Sequence, residues 1–138
     1  MGKSFLQFPH PTGVVSVVSY KQVIVLRRDL PLTRQVVTRT IAYGSVRGVQ
    51  YVEQRNPDLV KRWLKVGQKK ITTQVTGRAE LESLAEHCDR RALLATLVTL
   101  PPDLVKVSGV GEEEPVILVV GPDKEVKIDP VTGTLKLY

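Results

Sequence analysis

One cysteine, Cys88, occurs in the 138 residues. It excludes an internal disulfide and any zinc site built from several thiolates, and it points to a reducing compartment. Histidine is nearly as scarce. His10 lies between two prolines. His87 neighbours Cys88 in a helical pattern, where adjacent residues face different ways, so neither histidine builds a nucleophile–base pair. No apolar run approaches the roughly 20 residues of a membrane helix. Gly109 and Gly111 are not followed by the lysine and hydroxyl residue of a phosphate loop. Glu112, Glu113 and Glu114 are adjacent, as in a solvated loop rather than a cation cage. No metal, cofactor or membrane partner is expected.

Negative charge is scarce in the first half. Residues 1–70 hold 13 Lys/Arg against 3 Asp/Glu, a net +10, whereas residues 71–138 hold 7 against 11, a net −4. The whole chain carries +6. A basic half of this size suits a polyanion, most often nucleic acid.

Gln22 to Leu26 is a continuous apolar run, mostly β-branched, with the pattern of a strand buried on both faces. Arg27 to Pro31 stops it, and Thr33 caps a helix that starts at Arg34. In open α/β sheets the ligand crevice lies beyond the carboxyl end of such a strand. Here that place carries Arg27, Arg28 and Arg34.

The remaining pattern alternates. Residues 1–19 read as an N-terminal arm, neither a secretory signal nor a transit peptide, with Val14 to Val18 as a short edge strand or a contact with another molecule. Pro57 opens a helix behind Asn56, with Leu59, Val60, Trp63 and Leu64 on its apolar face. Gly67 ends it. Lys70 to Val75 is a strand, Arg78 to Arg90 a helix with Cys88 on its apolar stripe, and Leu94 to Leu100 a further strand closed by Pro101-Pro102. Ser108 to Pro115 reads as a loop. Val116 to Val120 is a second fully apolar strand, closed by Gly121-Pro122. Turns follow at Asp129-Pro130 and Thr132-Gly133, and Leu135 to Tyr138 alternates like a half-buried strand or packed terminus. These elements predict a single α/β domain over residues 20–138, a three-layer sandwich with a mixed four-stranded sheet and helices on both faces.

Particular residues then resemble a known family. Tyr20-Lys21, Arg27 and Asp29-Leu30 are similar to the opening of the peptidyl-tRNA hydrolases of the archaeal and eukaryotic type. Arg55-Asn56-Pro57, Trp63 and Gly67-Gln68-x-Lys70-Ile71 resemble its next block. Gly121-Pro122, Ile128-Asp129 and Val131-Thr132-Gly133-x-Leu135-Lys136-Leu137-Tyr138 resemble its ending. The resemblance implies the same mixed sheet, and hydrolysis of the ester between a peptide and the terminal ribose of tRNA.

The departures fall on the chemistry. The family follows its first strand with a segment like K-M-G-K-G-K-x-A-A-Q-x-x-H-A. Aligned without gaps, Arg34 stands at one lysine, Val36 at the second, Thr40 at the glutamine and Tyr43 at the histidine. The family's D-A-G-x-T-Q falls near Leu100, where this chain reads Pro101-Pro102-Asp103-Leu104-Val105-Lys106 in a loop longer by about four residues. Arginine holds a phosphate but does not act as a base at ordinary pH. The remaining candidates for proton transfer or polarisation are Asp103, Lys106 and Tyr43.

The expectation is therefore a catalytically degenerate relative that binds RNA, tRNA or rRNA, in a ribosome-associated or mitochondrial ribosomal assembly, in the mitochondrion or cytoplasm. Its phosphate contacts would come from Arg27, Arg28, Arg34, Arg39, Arg47, Lys69 and Lys70, with Lys61, Arg62 and Lys65 beside them. Two alternatives stand beside it: an active hydrolase with a rearranged site, and a protein-interaction scaffold without RNA. The arm and an exposed sheet edge would also permit a homodimer.

Overall fold

The computed structural model describes residues 18–138. The arm expected over residues 1–19, with its His10 and most of the Val14 to Val18 run, lies outside the described residues up to residue 17. Ten elements follow in order: β1 (Tyr20–Arg27), α1 (Arg34–Glu53), α2 (Pro57–Lys65), β2 (Lys70–Val75), α3 (Arg78–Arg90), β3 (Ala95–Val98), α4 (Pro102–Ser108), β4 (Ile117–Lys124), α5 (Glu125–Thr132) and β5 (Lys136–Leu137).

The strands form one mixed sheet in the order β3-β4-β1-β2-β5. β1 pairs parallel with β2 and antiparallel with β4. Its side chains alternate between two cores. Ile24 and Leu26 pack with Val36, Val37, Ile117 and Val119 under α1, joined by Leu100 and by Leu104 of α4. Val23 and Val25 pack with Leu81, Cys88, Leu118, Val120 and Ile128 under α3 and α5. A strand covered on both faces has no polar side, which is why it reads as one apolar run. Trp63 is buried as its stripe predicts, and its indole N–H donates to the Lys69 carbonyl at 2.9 Å.

Three expectations need correction, and the end of one helix is added. The sheet has five strands, because the last residues add β5 to the edge of β2. α1, whose end the sequence pattern leaves open, runs to Glu53, and the face it turns to the sheet beyond Tyr43 is built from Gly44, Ser45, Gly48 and Val52 rather than a row of large apolar residues. Small residues leave little hydrophobic periodicity to read. Part of the long loop is α4, with Pro102 at its start, where a missing N–H costs nothing, and Gly109 in the left-handed region at φ +75° at its end. Asp129-Pro130 is no turn. Pro130 lies inside α5, where the burial of Ile128, Val131 and Thr132 offsets the lost backbone bond.

α1 rests unusually near the sheet. A Cβ at Gly44 would sit 2.1 Å from Ile117 Cδ1, and one at Gly48 would sit 2.3 Å from Val119 Cγ1 and 2.9 Å from Gln22 Nε2. The approach lets the fully buried Gln22 pair reciprocally with Ser45: its amide donates to the Ser45 carbonyl at 3.1 Å and its oxygen accepts from the Ser45 hydroxyl at 2.6 Å.

The carboxyl end of β1 is tied by charge. Arg27 is only 5% exposed. It grips Asp29 with Nε and Nη2 at 3.0 and 2.7 Å, donates to the Pro115 carbonyl at 2.9 Å, and pairs with Glu114. Arg78 at the start of α3 reaches the same Glu114 at 3.3 Å. One guanidinium thus joins the ends of β1 and β4, and Glu114 joins both to α3. The bond to Arg27 holds the Asp29 and Glu114 carboxyls below their ordinary values.

Two predictions follow from this packing. Gly48→Ala gains about 1 kcal/mol of helix propensity but overpacks the stiff Val119 side chain, so it should lower stability by about 1–2 kcal/mol net. Gly44→Ala meets first the terminal methyl of Ile117, which can turn away about its last side-chain torsion, and should cost less. Urea unfolding of both variants checks the order, and a neutral Gly48→Ala refutes it. Because the Asp29 and Glu114 carboxyls are depressed on folding, their contribution is present above the ordinary carboxylate range and is lost as pH falls through it, below about pH 4.5. Melting temperatures between about pH 7 and about pH 3 should fall more steeply for the wild type than for Arg27→Met. Parallel curves would show that the tie adds no stability.

Candidate nucleic-acid interface

The seven basic residues expected at phosphate do not form one surface. Arg27 is removed from the set: it is buried and its donors are consumed by Asp29, Glu114 and the Pro115 carbonyl. A charge buried this deep persists only with such partners, so it serves the fold. Arg28 is exposed at the same end of the sheet, donating to the Gln74 side chain at 2.6 Å and lying 5.5 Å from the Tyr138 ring centre. Arg34 is exposed in the first turn of α1 and forms no ion pair among the described residues. Arg39 is paired with Asp103 at 2.8 Å, with both side chains about half exposed. Arg47 is exposed further along α1, 6.0 Å from the Tyr43 ring centre, and also forms no ion pair among the described residues.

Lys69 and Lys70 lie elsewhere. The β1–β2 register sets Gln22 against Lys70 and Arg27 against Val75. Six residues of strand, roughly 20 Å, therefore separate Lys70 from Arg28, and Lys69 lies one residue further off. Lys69 is paired with Glu125 at 3.0 Å, and the Lys70 ammonium lies 5.0 Å from the centre of the Trp63 ring. Arg62 pairs with Asp58 within its own helix.

Asp103, Lys106 and Tyr43 converge only in part. Tyr43, Lys106, Thr99, Leu100, Pro102, Val105, Glu112 and Glu113 line a cleft of about 370 Å³ between α1 and the α4 region. Asp103 is exposed outside that lining, and its bond to Arg39 lowers its carboxyl below the ordinary value. A carboxylate held in that form is a weak proton acceptor. Val36 and Thr40 are buried, and the Thr40 hydroxyl donates to the Val36 carbonyl at 2.7 Å within the helix. The Cys88 thiol is fully buried and pushed up to about 11 by desolvation, which makes it inert.

Tyr43 and Thr99 also belong to a second groove, of about 400 Å³, that runs along the flank of α1 beside β3. Arg47, Gln50, Tyr51 and Gln54 line it from the helix, and Thr96, Leu97 and Val98 from the strand. The sequence reading overlooked this groove, together with Glu112 and Glu113 at the cleft. Its signal was present as Tyr43, Arg47, Tyr51 and Arg55, four residues apart, but it is legible only once α1 is known to continue to Glu53. No group of three or more metal-ligating side chains occurs among the described residues, and none of their helices is long and apolar enough to cross a membrane.

Comparison with known proteins agrees with this fold. A family model described as peptidyl-tRNA hydrolase PTH2 matches residues 20–138. The chain is 38% identical over 121 residues to a peptidyl-tRNA hydrolase of Methanopyrus kandleri, covering 86% of this chain and 97% of that protein. It is 34% identical over 121 residues to the one of Thermococcus onnurineus, with the same coverage. It is 30% identical over 122 residues to the human peptidyl-tRNA hydrolase 2, mitochondrial, covering 86% of this chain and 64% of that protein. The match spans every strand of the sheet, and the chain belongs to the peptidyl-tRNA hydrolase PTH2 family.

Proposed function

We propose that this chain uses the peptidyl-tRNA hydrolase fold to hold RNA and has let the ester hydrolysis go. The relatives are named for peptidyl-tRNA, so a tRNA or a tRNA-like RNA is the natural ligand class. The observation that carries the reading is the chemistry of the first helix. Where the family places its second lysine and its glutamine, this chain has Val36 and Thr40, both sealed in the core. Tyr43 stands at the histidine position and offers a hydroxyl to the cleft. Hydrolysis needs a base for water and a donor for the oxyanion. Asp103 is tied to Arg39, and arginine does not supply a base.

Binding is better served. Arg28, Arg34 and Arg47 are exposed and have no carboxylate partner among the described residues. An RNA–protein assembly such as a ribosome, mitochondrial or cytoplasmic, fits a domain that keeps RNA contacts without turnover, with α4 and the segment after it as protein contacts. A second reading, an active hydrolase with a rearranged site, is favoured by Lys106, Glu112 and Glu113, which line the cleft together with Tyr43. There Glu113 would take the water's proton.

Single-turnover cleavage of an aminoacyl-tRNA with a blocked amine, run beside filter binding, separates the two. The expected result is binding without cleavage above the protein-free rate. About three phosphate contacts should lower affinity about 40-fold between about 50 and about 200 mM salt. Cleavage that is lost in Glu113→Gln would establish the second reading instead. Affinity independent of salt would remove the RNA reading altogether.

A further inference from the structure

The groove between α1 and β3 has a chemistry of its own. Tyr43, Arg47 and Tyr51 recur at four-residue spacing along one flank of α1, and Arg55 follows at the same spacing just beyond its carboxyl end. Ring and guanidinium alternate along it. Arg55 lies over Tyr51 at 3.6 Å from the ring centre and is anchored by Nη1 to the Tyr51 carbonyl at 2.9 Å. Arg47 lies 6.0 Å from the Tyr43 ring centre. Neither arginine meets a carboxylate among the described residues. Arg55 has an ordinary structural role, since a cation at a helix carboxyl end complements its dipole. Arg47, in the body of the helix, has no such dipole role.

The facing wall is the sheet edge. β3 is the last strand on its side, so its outer backbone groups have no strand partner, and Leu97 is exposed there at 39%. The lining contains no acidic residue: it is two tyrosines, one arginine, two glutamine amides, two threonines, a leucine and a valine. At its upper end Tyr43 and Thr99 open into the cleft that holds Lys106, Glu112 and Glu113.

Resting on the RNA reading above, we infer that this groove is a track for single-stranded RNA, in which unpaired bases pack against Tyr43 and Tyr51 while Arg47 holds phosphate and Arg55, outside the lining, braces the Tyr51 ring. Aromatic rings take any base, and guanidinium groups donate to phosphate oxygens. Gln50 and Gln54 offer both donors and acceptors to base edges. The track leads an unpaired RNA end to Tyr43 and so into the cleft. The paired part of the RNA would then lie outside, toward the opposite end of the groove. An extended peptide added to β3 would use the same edge, but it would leave the Arg47 charge without a counter-charge.

The test uses the full chain and a fluorescently labelled single-stranded RNA hexamer, with the same sequence as a blunt duplex for comparison. Tyr51→Ala should weaken hexamer binding about tenfold and Tyr51→Phe should leave it near wild type. Arg47→Gln, at an exposed position that does not threaten folding, should weaken the hexamer by a comparable factor. Duplex affinity should change little in all three, and amide resonances of Thr96 to Thr99 should shift on adding the hexamer. Hexamer binding that is indifferent to Tyr51→Ala and Arg47→Gln would overturn the track while leaving RNA binding elsewhere intact. Absence of binding to tRNA, hexamer and duplex alike would bring down the RNA reading together with it. The same titration with a capped peptide of alternating valine and threonine supplies a further check: shifts of those amides at lower concentration than the hexamer needs would overturn the track in favour of strand addition.

Discussion

The close seat of α1 on the β4–β1 pair is the constraint on which the rest of the structure depends. Gly44 and Gly48 remove the side chains that would hold the helix off, and Gln22 and Ser45 satisfy each other in the dry space that results. A buried amide and hydroxyl are tolerated only when paired, so the contact specifies a position along the helix as well as a distance. Everything that lines the two clefts on this side hangs from α1 or faces it. A helix displaced by a turn would carry Tyr43 away from Thr99 and close neither cleft.

Pairing, more than sequence position, decides which charges this protein has available. The basic half of the chain suggests one polyanion surface, but the fold spends its cations differently. Arg27 is consumed in joining two strand ends, Arg39 and Lys69 face carboxylates contributed by the acidic half, and Lys70 lies beside a tryptophan. The net −4 of residues 71–138 is thus partly internal counter-charge. Exposed pairs of this kind contribute little to stability, yet they subtract from the field that a phosphate would meet. Of the seven cations expected at phosphate, Arg28, Arg34 and Arg47 keep no carboxylate partner among the described residues, disposed around α1 and the upper edge of the sheet.

The same helix keeps packing and cleft contacts apart. The residues that build the sheet contact and those that face the clefts occupy different stripes of α1. Val36 and Thr40 belong to the packed stripe, so apolar or self-satisfied side chains there strengthen the core without disturbing the outline of the cleft. Tyr43 fills a position on the cleft side, where a hydroxyl and a ring suit contact with a ligand.

Much was legible from residue order alone. The two apolar strands, the Thr33 cap, the Trp63 and Cys88 cores and the family were all readable, because burial on both faces, capping and long family strings leave local marks. The length of α1 was not, since its sheet-facing stripe beyond Tyr43 is largely of small residues whose role appears only against Ile117 and Val119. Pro130 inside α5 and α4 within an apparent loop escaped for a related reason: burial of a few apolar side chains overrode strong local turn signals. The candidate site was the least legible part. Sequence determined which residues could bear charge or stack on a base. Tertiary structure alone decided that Arg27 is a buried tie, that Lys69 and Lys70 lie at the far end of the sheet, and that Tyr43, Arg47 and Tyr51 share a groove with β3. Such facts depend on which distant carboxylate or strand edge a side chain meets, and spacing along the chain carries no record of that.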